Sequence, residues 1–407
     1  MYVELAILAL FIFLYSMVAG RVERSAISGP MVFVVAGFLM GPFGLGLFDG
    51  DATSSDLRTL ADLTLALILF IDAANADMSI LKRQFRIPSR MLLIGLPGVI
   101  VLGFGLAVLM FDGLSLYEAA ILATMLAATD AALGKAVITN KAVPARIREG
   151  LNVESGLNDG ICVPILLFFI ALSVGGEHGG SETSALILLA EELGIGMAVG
   201  LGLALVGASL LRWCWTQGWV TEIWMQVTVV GLAIASFATA QSLHGSGYIA
   251  EFTGGLLFGY LAKEGTHKLV LAAEGAGETL ALMTWMLFGA MVIAPALKLF
   301  SWEVVIYALL SLTVIRIAPI FLSLARSGES VSSRLFLGWF GPRGLASIVF
   351  AIIVINAEVP GAEFLALVVI CTVMLSLVAH GISANPLAKW LGRKESTSSN
   401  QPAKTSH

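Results

Sequence analysis

Long apolar runs recur along almost the whole chain and are separated by short polar joints. Runs of about 20 residues, with allowance for tilt and for Gly or Pro interruptions, fall at 4–20, 27–47, 58–76, 89–110, 116–139, 148–174, 185–211, 222–242, 247–263, 279–300, 303–324, 335–357 and 363–384. This pattern predicts thirteen transmembrane helices. We therefore expect an all-α polytopic membrane protein that lies in the lipid bilayer.

The charges of the joints test this count independently. With thirteen spans, one set of joints shares a side with the C-terminal tail: those near 21–26, 77–90, 140–148, 212–221, 263–278 and 325–334. They carry nearly all of the basic loop residues, whereas the opposite joints carry only Arg58 and Lys298 beside several acids. By the positive-inside rule we expect a cytoplasmic C-terminus, an external N-terminus and a location in the cell inner (plasma) membrane.

Composition supports the membrane interpretation. Of the 407 residues, 58% are hydrophobic and 13% are charged, and the mean hydropathy is +0.92. A soluble protein has about 25% charged residues. The three cysteines all lie in or beside apolar runs and suggest neither a disulfide framework nor a metal site. We expect no bound cofactor and no nucleic-acid partner.

Charged residues inside the apolar runs are the candidates for function. Asp130, Glu154 and Asp159 lie within the stretch 127–164, and carboxylates at membrane depth are costly and usually serve an ion or proton pathway. Arg316 and Arg343 also lie within or near the ends of spans. Because a guanidinium stays charged, each needs a buried acid, backbone carbonyls or water.

Two spans are expected to be interrupted. AATDAALGK places a polar Thr-Asp pair in the middle of one span, and WFGPRGLA places Gly-Pro-Arg-Gly in the middle of another. Asp130 lies about 126 residues after the first span begins, and Arg343 lies about 121 residues after the eighth span begins. Two six-helix halves with a linker helix between them would form an inverted repeat, the plan of many secondary transporters.

Four motifs together resemble the cation:proton antiporter superfamily. The asparagine at position 158, directly before Asp159, is similar to the electroneutral NhaP-like branch of that superfamily. The motifs are ATDAA (Thr129, Asp130), NVESGLNDG (Glu154, Ser155, Asn158, Asp159), VIRIAP (Arg316) and GPRGLAS (Arg343). The resemblance implies a homodimeric sodium/proton antiporter, not an enzyme, in which a core part moves against a dimerisation part.

The resemblance also implies a division of the chain. A single transmembrane domain is expected at 1–388, with a dimerisation part at about 1–88 and 185–300 and a core part at about 89–174 and 303–388. The polar residues 389–407 are expected to form a short disordered cytoplasmic tail.

The resemblance assigns the ion-binding residues. The aspartate matching Asp159 holds either the cation or protons, and the residues matching Thr129, Asp130 and Ser155 help to bind the ion. Sodium is a hard cation that prefers oxygen ligands, and Asp159 and Ser155 share one helix face because they are four apart. Competition between Na⁺, or Li⁺, and H⁺ for Asp159 predicts electroneutral one-for-one exchange.

Other residues are assigned to support of the site. By the resemblance, Glu154 and Arg316 form a buried ion pair near Asn158. Asn158 points about 100° away from its neighbour Asp159, which favours a structural role in bonding the broken helices. Arg343 either neutralises helix C-terminal ends or contacts the core acids.

Several roles stay open at this level. Asp130 could cap a broken helix rather than bind the ion, and the hydroxyls of Thr129 and Ser155 could bond only their own backbone. Asp72 is interpreted as a helix-end contact. Lys135 is either a charge balance in the core part or a side chain that snorkels to the interface. Glu251 belongs either to interfacial structure or to a cytoplasmic funnel.

Three other functions compete with sodium/proton exchange. The nearest is a K⁺/H⁺ exchanger of the same fold, because selectivity depends on cavity size and ligand number. A cation channel is less expected, because the acids sit asymmetrically in one half of the chain. A membrane-embedded protease is disfavoured, because Ser155 has no histidine near it in the sequence.

Overall fold

The computed structural model describes residues 2–22, 25, 27–47, 54–76, 86–177, 182–262 and 266–399. Within these ranges the chain forms helices and turns, with no strand. The helices are α1 (Tyr2–Val22), α2 (Gly29–Met40), α3 (Ser54–Asn75), α4 (Arg86–Met110), α5 (Leu116–Met125), α6 (Ala131–Ile138), α7 (Ala145–Glu177), α8 (Glu182–Thr216), α9 (Glu222–Ser242), α10 (Gly247–Ala262), α11 (Thr266–Met291), α12 (Ile293–Leu297), α13 (Trp302–Ser323), α14 (Val331–Trp339), α15 (Leu345–Asn356) and α16 (Ala362–Ser399).

Each predicted span corresponds to one helix or one pair of short helices in the described part of the chain. Seven helices are long and apolar enough to cross a membrane: α1, α4, α7, α8, α9, α13 and α16. The shorter α2, α5 and α15 are also apolar. The span predicted at 279–300 is displaced, since α11 begins at Thr266. Its first turns carry Lys268 and Glu274, and these charges lower the hydropathy by which the span was placed.

Both predicted interruptions are present. Residues 126–130 separate α5 from α6, and residues 340–344 separate α14 from α15. Each interrupted pair follows a helix with a π-helical turn, Met91–Gly95 in α4 and Ser311–Ile315 in α13, and precedes a long helix, α7 or α16. The two triplets run in opposite directions. Arg90 near the start of α4 donates to the Ser323 carbonyl at the end of α13 (3.3 Å), and Tyr307 near the start of α13 donates to the Gly103 carbonyl late in α4 (3.0 Å). This arrangement is the inverted repeat that the sequence predicts.

The helices pack as two bundles, which we name by their helices. The crossing bundle contains α4–α7 and α13–α16, and the flanking bundle contains α1–α3 and α8–α12. Contacts between them run mainly from α7, α15 and α16 to α2, α3, α8 and α10. The movement and dimerisation expected of these parts stay predictions.

The two ends of the molecule differ in how the bundles join. We call the end where α3 finishes and α7 begins the basic end, and the opposite end the acidic end. Toward the acidic end, one apolar cluster continues through both bundles, with Leu65 and Trp285 in the flanking bundle and Leu166 and Phe350 in the crossing bundle. The bundles are therefore closely packed together on this side.

Toward the basic end, each bundle has its own apolar cluster among the described residues. A small cluster that includes Val153, Leu157 and Phe252 joins α7 to α10. The helices α3 and α11 carry acidic residues at this end. The two bundles are thus less completely joined here, and polar side chains lie between them.

The predicted disordered tail is wrong for its first part. The helix α16 continues to Ser399, well beyond residue 389. Its Glu395 accepts hydrogen bonds from Arg146 in α7 (2.7 Å) and from Ser333 in α14 (2.8 Å). Residues 400–407, like the joints at 77–85 and 263–265, lie outside the described residues.

Candidate functional site

The two interruptions lie against each other inside the crossing bundle. The backbone N–H of Asp130 donates to the carbonyl of Pro342 (2.8 Å), and Ser347 Oγ donates to the carbonyl of Met125 (2.9 Å). The N-termini of α6 and α15 and the C-termini of α5 and α14 therefore meet in one place. Helix ends present unpaired N–H and C=O groups, so this crossing needs both an anion and a cation.

Asp130 supplies the anion. Its carboxylate accepts hydrogen bonds from the backbone N–H groups of Leu133 (3.3 Å) in α6 and Leu345 (2.9 Å) in α15. One side chain thus caps both half-helices, and its charge lies where both dipoles are positive. A Cβ at Gly344 would collide with this carboxylate, so the close approach requires glycine. The capping role left open by the sequence is the one that the geometry provides.

Arg343 supplies the cation. Its Nη1 donates to the carbonyls of Ala127 (3.4 Å), Ala128 (3.3 Å) and Gly341 (3.2 Å), where α5 and α14 have ended. A positive charge at helix C-termini is favourable. Its backbone N–H donates to Ser376 Oγ (2.7 Å). This bond fixes the non-helical backbone of the second interruption to α16. Arg343 therefore neutralises helix C-terminal ends, which is one of the two roles that the sequence allows.

Glu154 and Arg316 form a two-point ion pair, with distances of 2.8 Å and 3.0 Å. Both side chains are fully buried. A Cβ at Gly341 would collide with the Arg316 guanidinium, so the pair packs directly against the backbone of the second interruption. Parallel N–H···O bonds of this kind are strong and fixed in direction. The pair contributes two buried charges that cancel.

Asn158 ties α7 to the first interruption. Its Nδ2 lies within hydrogen-bond distance of the Ala127 carbonyl (3.2 Å), Thr129 Oγ1 (3.2 Å) and Glu154 Oε1 (3.1 Å). The Cys162 thiol donates to Asn158 Oδ1 (3.2 Å). The amide thus faces the ion pair and the broken backbone rather than the side on which Asp159 lies, as the angular spacing predicts.

Asp159 contacts the first interruption through the backbone of Thr129. Its Oδ1 accepts a hydrogen bond from the Thr129 backbone N–H (3.2 Å), and Thr129 Oγ1 lies 3.3 Å from Ser155 Oγ. None of the described residues hydrogen-bonds Asp159 Oδ2, and 6% of the residue is exposed. The carboxylate of Asp159 thus accepts the backbone N–H of Thr129, whose hydroxyl lies next to that of Ser155. Oxygen groups of this kind suit a hard monovalent cation or a proton.

Asp72 belongs to this site, although the sequence indicated only a helix-end contact. It lies in the last turn of α3, against Gly156 of α7, where an added Cβ would lie 3.3 Å from Asp72 Cβ. It interacts electrostatically with Asp130 and Asp159. The signal in the sequence is Gly156, one residue after Ser155, because a glycine in α7 permits close approach of another helix.

Acidic residues continue from Asp72 toward the basic end. On α11, Glu274 accepts a hydrogen bond from Asn75 (2.8 Å), and Glu278 forms an ion pair with Lys135 (2.9 Å). These groups lie between the two bundles, where their apolar clusters are separate. We call this polar region the vestibule. Toward the basic end the site is thus bordered by polar, partly exposed side chains, and toward the acidic end by apolar packing.

Glu251 lies apart from this site. It is fully buried in α10, beside Ser236 and Phe237 of α9. All three residues belong to the flanking bundle, so Glu251 is interior to that bundle rather than part of the vestibule.

Comparison with known proteins agrees with this architecture. The family described as "Sodium/hydrogen exchanger, transmembrane" matches residues 7–390. The K(+)/H(+) antiporter NhaP of Alkalimonas amylolytica is 27% identical over 391 residues, which cover 93% of this chain and 65% of that protein. The Na(+)/H(+) antiporter ApNhaP of Aphanothece halophytica is 26% identical over 398 residues, or 94% of this chain and 74% of that protein.

The chain spans less than two thirds of the first of these relatives. A solved structure of the sodium proton antiporter MjNhaP1 from Methanocaldococcus jannaschii superimposes with a TM-score of 0.76 at 21% identity, covering 94% of this chain and 98% of the other. These relatives are secondary transporters rather than enzymes. The chain belongs to the sodium/hydrogen exchanger family and has the fold of an NhaP-like cation:proton antiporter.

Proposed function

We propose that this protein exchanges Na⁺, and also Li⁺, for H⁺ across the membrane by alternating access. The observation that supports this most directly is the geometry at Asp159. One carboxylate oxygen accepts the backbone N–H of Thr129, and no described residue donates a hydrogen bond to the other. A proton or a dehydrated cation fits such a group, but not both together. Competition for one carboxylate is sufficient to couple the two fluxes.

One-for-one, electroneutral exchange is supported by the charges around Asp159. Glu154 is held by Arg316, and Asp130 is held by two helix N-termini. Asn158, where a second acid would allow a second proton, is neutral. On this proposal Asp159 is the group that binds the cation and the proton in turn during the cycle. Asp130 and Asp72 add negative potential around it.

The remaining parts of the proposal concern the membrane. On this proposal the protein resides in the inner membrane of the cell. Its basic end faces the cytoplasm, because the basic joint residues lie at that end. Two copies associate through the flanking bundle. The helices α1 and α8 expose many large apolar side chains, such as Leu14, Met17, Leu201 and Leu205, which suit lipid or a second copy.

A K⁺/H⁺ exchanger is the second candidate, because one relative is named for potassium and another for sodium. The same ligands serve either ion, and the choice depends on the size of the cavity.

The test uses purified protein in proteoliposomes that hold a pH gradient, with a pH-sensitive dye as readout. Addition of Na⁺ or Li⁺ should collapse the gradient in the wild type and leave it intact in Asp159→Asn. Collapse by K⁺ alone would replace the sodium proposal with the potassium one. If no cation moves protons, the proposal of cation/proton exchange is wrong. A channel would instead dissipate a cation gradient without moving protons.

Stoichiometry is tested in the same vesicles by imposing a membrane potential at zero pH gradient. Electroneutral exchange predicts no driven flux. Flux driven by potential alone would show that more than one proton moves per cation.

A further inference from the structure

One ion pair crosses the vestibule from bundle to bundle. Lys135 Nζ of α6 lies 2.9 Å and 3.2 Å from the two carboxylate oxygens of Glu278 in α11. The first residue belongs to the crossing bundle and the second to the flanking bundle. Both side chains are partly exposed, at 45% and 57%, so they meet in the polar gap rather than in a packed core.

The position of Lys135 makes this contact sensitive to movement. It lies on the half-helix that begins at Asp130, within two turns of the site. Glu278 lies on a helix that packs against α2 and α3 in the flanking bundle. Any displacement of the crossing bundle that closes the vestibule and opens the acidic end changes the distance between these two side chains. A bond of 2.9 Å does not survive a shift of several ångströms.

We propose that Lys135 and Glu278 form a latch that stabilises the vestibule-open state of the transport cycle. The latch holds when the site faces the basic end and breaks when the crossing bundle moves. This inference rests on the proposed alternating-access function. It gives Lys135 a role that its place in the sequence leaves undecided, and it makes both residues positioning residues rather than ion ligands.

A simpler effect must be separated from the latch. Glu278 could attract cations to the vestibule and Lys135 could repel them, with no bond required. Neutralising Glu278 would then weaken cation binding, whereas neutralising Lys135 would strengthen it. The latch predicts the same sign for both changes, because loss of either partner depopulates the state that binds cation from the vestibule.

The variants are Lys135→Met and Glu278→Gln, with Glu274→Gln as matched control. The control removes the same charge one turn away, and the hydrogen bond of Glu274 to Asn75 stays within the flanking bundle. The half-saturating cation concentration at the basic end should rise about two- to fivefold in each latch variant, the range for an exposed ion pair. The rise should shrink at high ionic strength, and the charge exchange Lys135→Glu with Glu278→Lys should restore the wild-type value.

Opposite signs for Lys135→Met and Glu278→Gln, or an equal rise in Glu274→Gln, would overturn the latch. A second measurement tests movement directly. In a Cys214→Ser background, Lys135→Cys and Glu278→Cys are joined by a bifunctional methanethiosulfonate, which forms a reducible disulfide with each thiol and releases sulfinate. Cys162 and Cys371 are left in place because they are buried. Joining should stop exchange and reduction should restore it.

Undiminished exchange in the joined protein would also refute the latch, while leaving the antiport proposal intact. A wild type that exchanges no cation for protons overturns the proposed function and the latch with it.

Discussion

The carboxylate of Asp130 accepts the backbone N–H of Leu345 at 2.9 Å, so a side chain from one interrupted helix caps the other. The two interruptions are consequently one structural unit. Separate movement of one half-helix would break this hydrogen bond. An ion held at Asp159 would therefore travel with both broken helices.

Replacing Asp130 by Asn tests whether this carboxylate is a cap. The amide oxygen can still accept one N–H, but the charge between two positive helix ends is lost. We expect a loss of about 1–2 kcal/mol in the stability of the detergent-solubilised protein. Thermal unfolding at several Na⁺ concentrations measures it.

The cap predicts the same loss of stability at every cation concentration. If Asp130 is mainly an ion ligand, the variant will keep the wild-type melting temperature without Na⁺ and lose only the stabilisation that Na⁺ adds.

The Glu154 and Arg316 pair should respond more strongly to single than to double replacement. Glu154→Gln leaves a buried guanidinium without its counter-charge, which costs about 3–5 kcal/mol. Removing both charges in Glu154→Gln with Arg316→Met should recover much of that loss. Expression level and thermal stability of the three variants give the comparison. Equal effects of single and double replacement would argue against a mutual, buried pair.

Gly344→Ala should damage the crossing, because the added methyl group meets the Asp130 carboxylate. Either the cap or the backbone of the second interruption must shift, and exchange should fall together with stability. Gly105→Ala in α4 is the matched control, since nothing lies within 4 Å of its Cβ position. That variant should be neutral or slightly stabilised, as Ala favours helix over Gly. Transport assays and melting curves of both proteins provide the readout.

Competition at Asp159 makes a quantitative prediction for pH. Protonation removes the cation-binding form, so apparent cation affinity is lost as pH falls through the titration of the site. On the acid side the half-saturating concentration should rise about tenfold per pH unit, with the maximal rate unchanged. A constant half-saturating concentration with a falling maximal rate would show that the proton acts elsewhere.

Apolar patterning was sufficient to predict most of the fold. The interruptions at Asp130 and Arg343 were visible because polar and helix-breaking residues stand in the middle of apolar runs. The start of α11 and the end of α16 differ from the sequence prediction, because both segments are polar. In α16, Glu395 bonds to Arg146. Hydropathy measures the affinity of a segment for lipid and does not register helices that continue into polar surroundings.

The sequence predicts most of the residues that form the site but not the role of each one. Asp130 and Asp159 are both acids in apolar runs. Nothing in their spacing shows that one caps two helices while the other has an oxygen to which none of the described residues donates. Asp72 was placed at a helix end because its distance from Asp159 depends on packing between α3 and α7. Such long-range contacts are set by side-chain shape in three dimensions, which a linear pattern does not carry.

The apolar cluster shared by both bundles toward the acidic end has a thermodynamic consequence. For an ion to enter from that end, the apolar side chains of this packed surface must become hydrated. Hydration of apolar surface raises the heat capacity, so the two access states should differ in heat capacity even though the ion site is the same in both. Turnover measured over a wide temperature range should therefore give a curved Arrhenius plot.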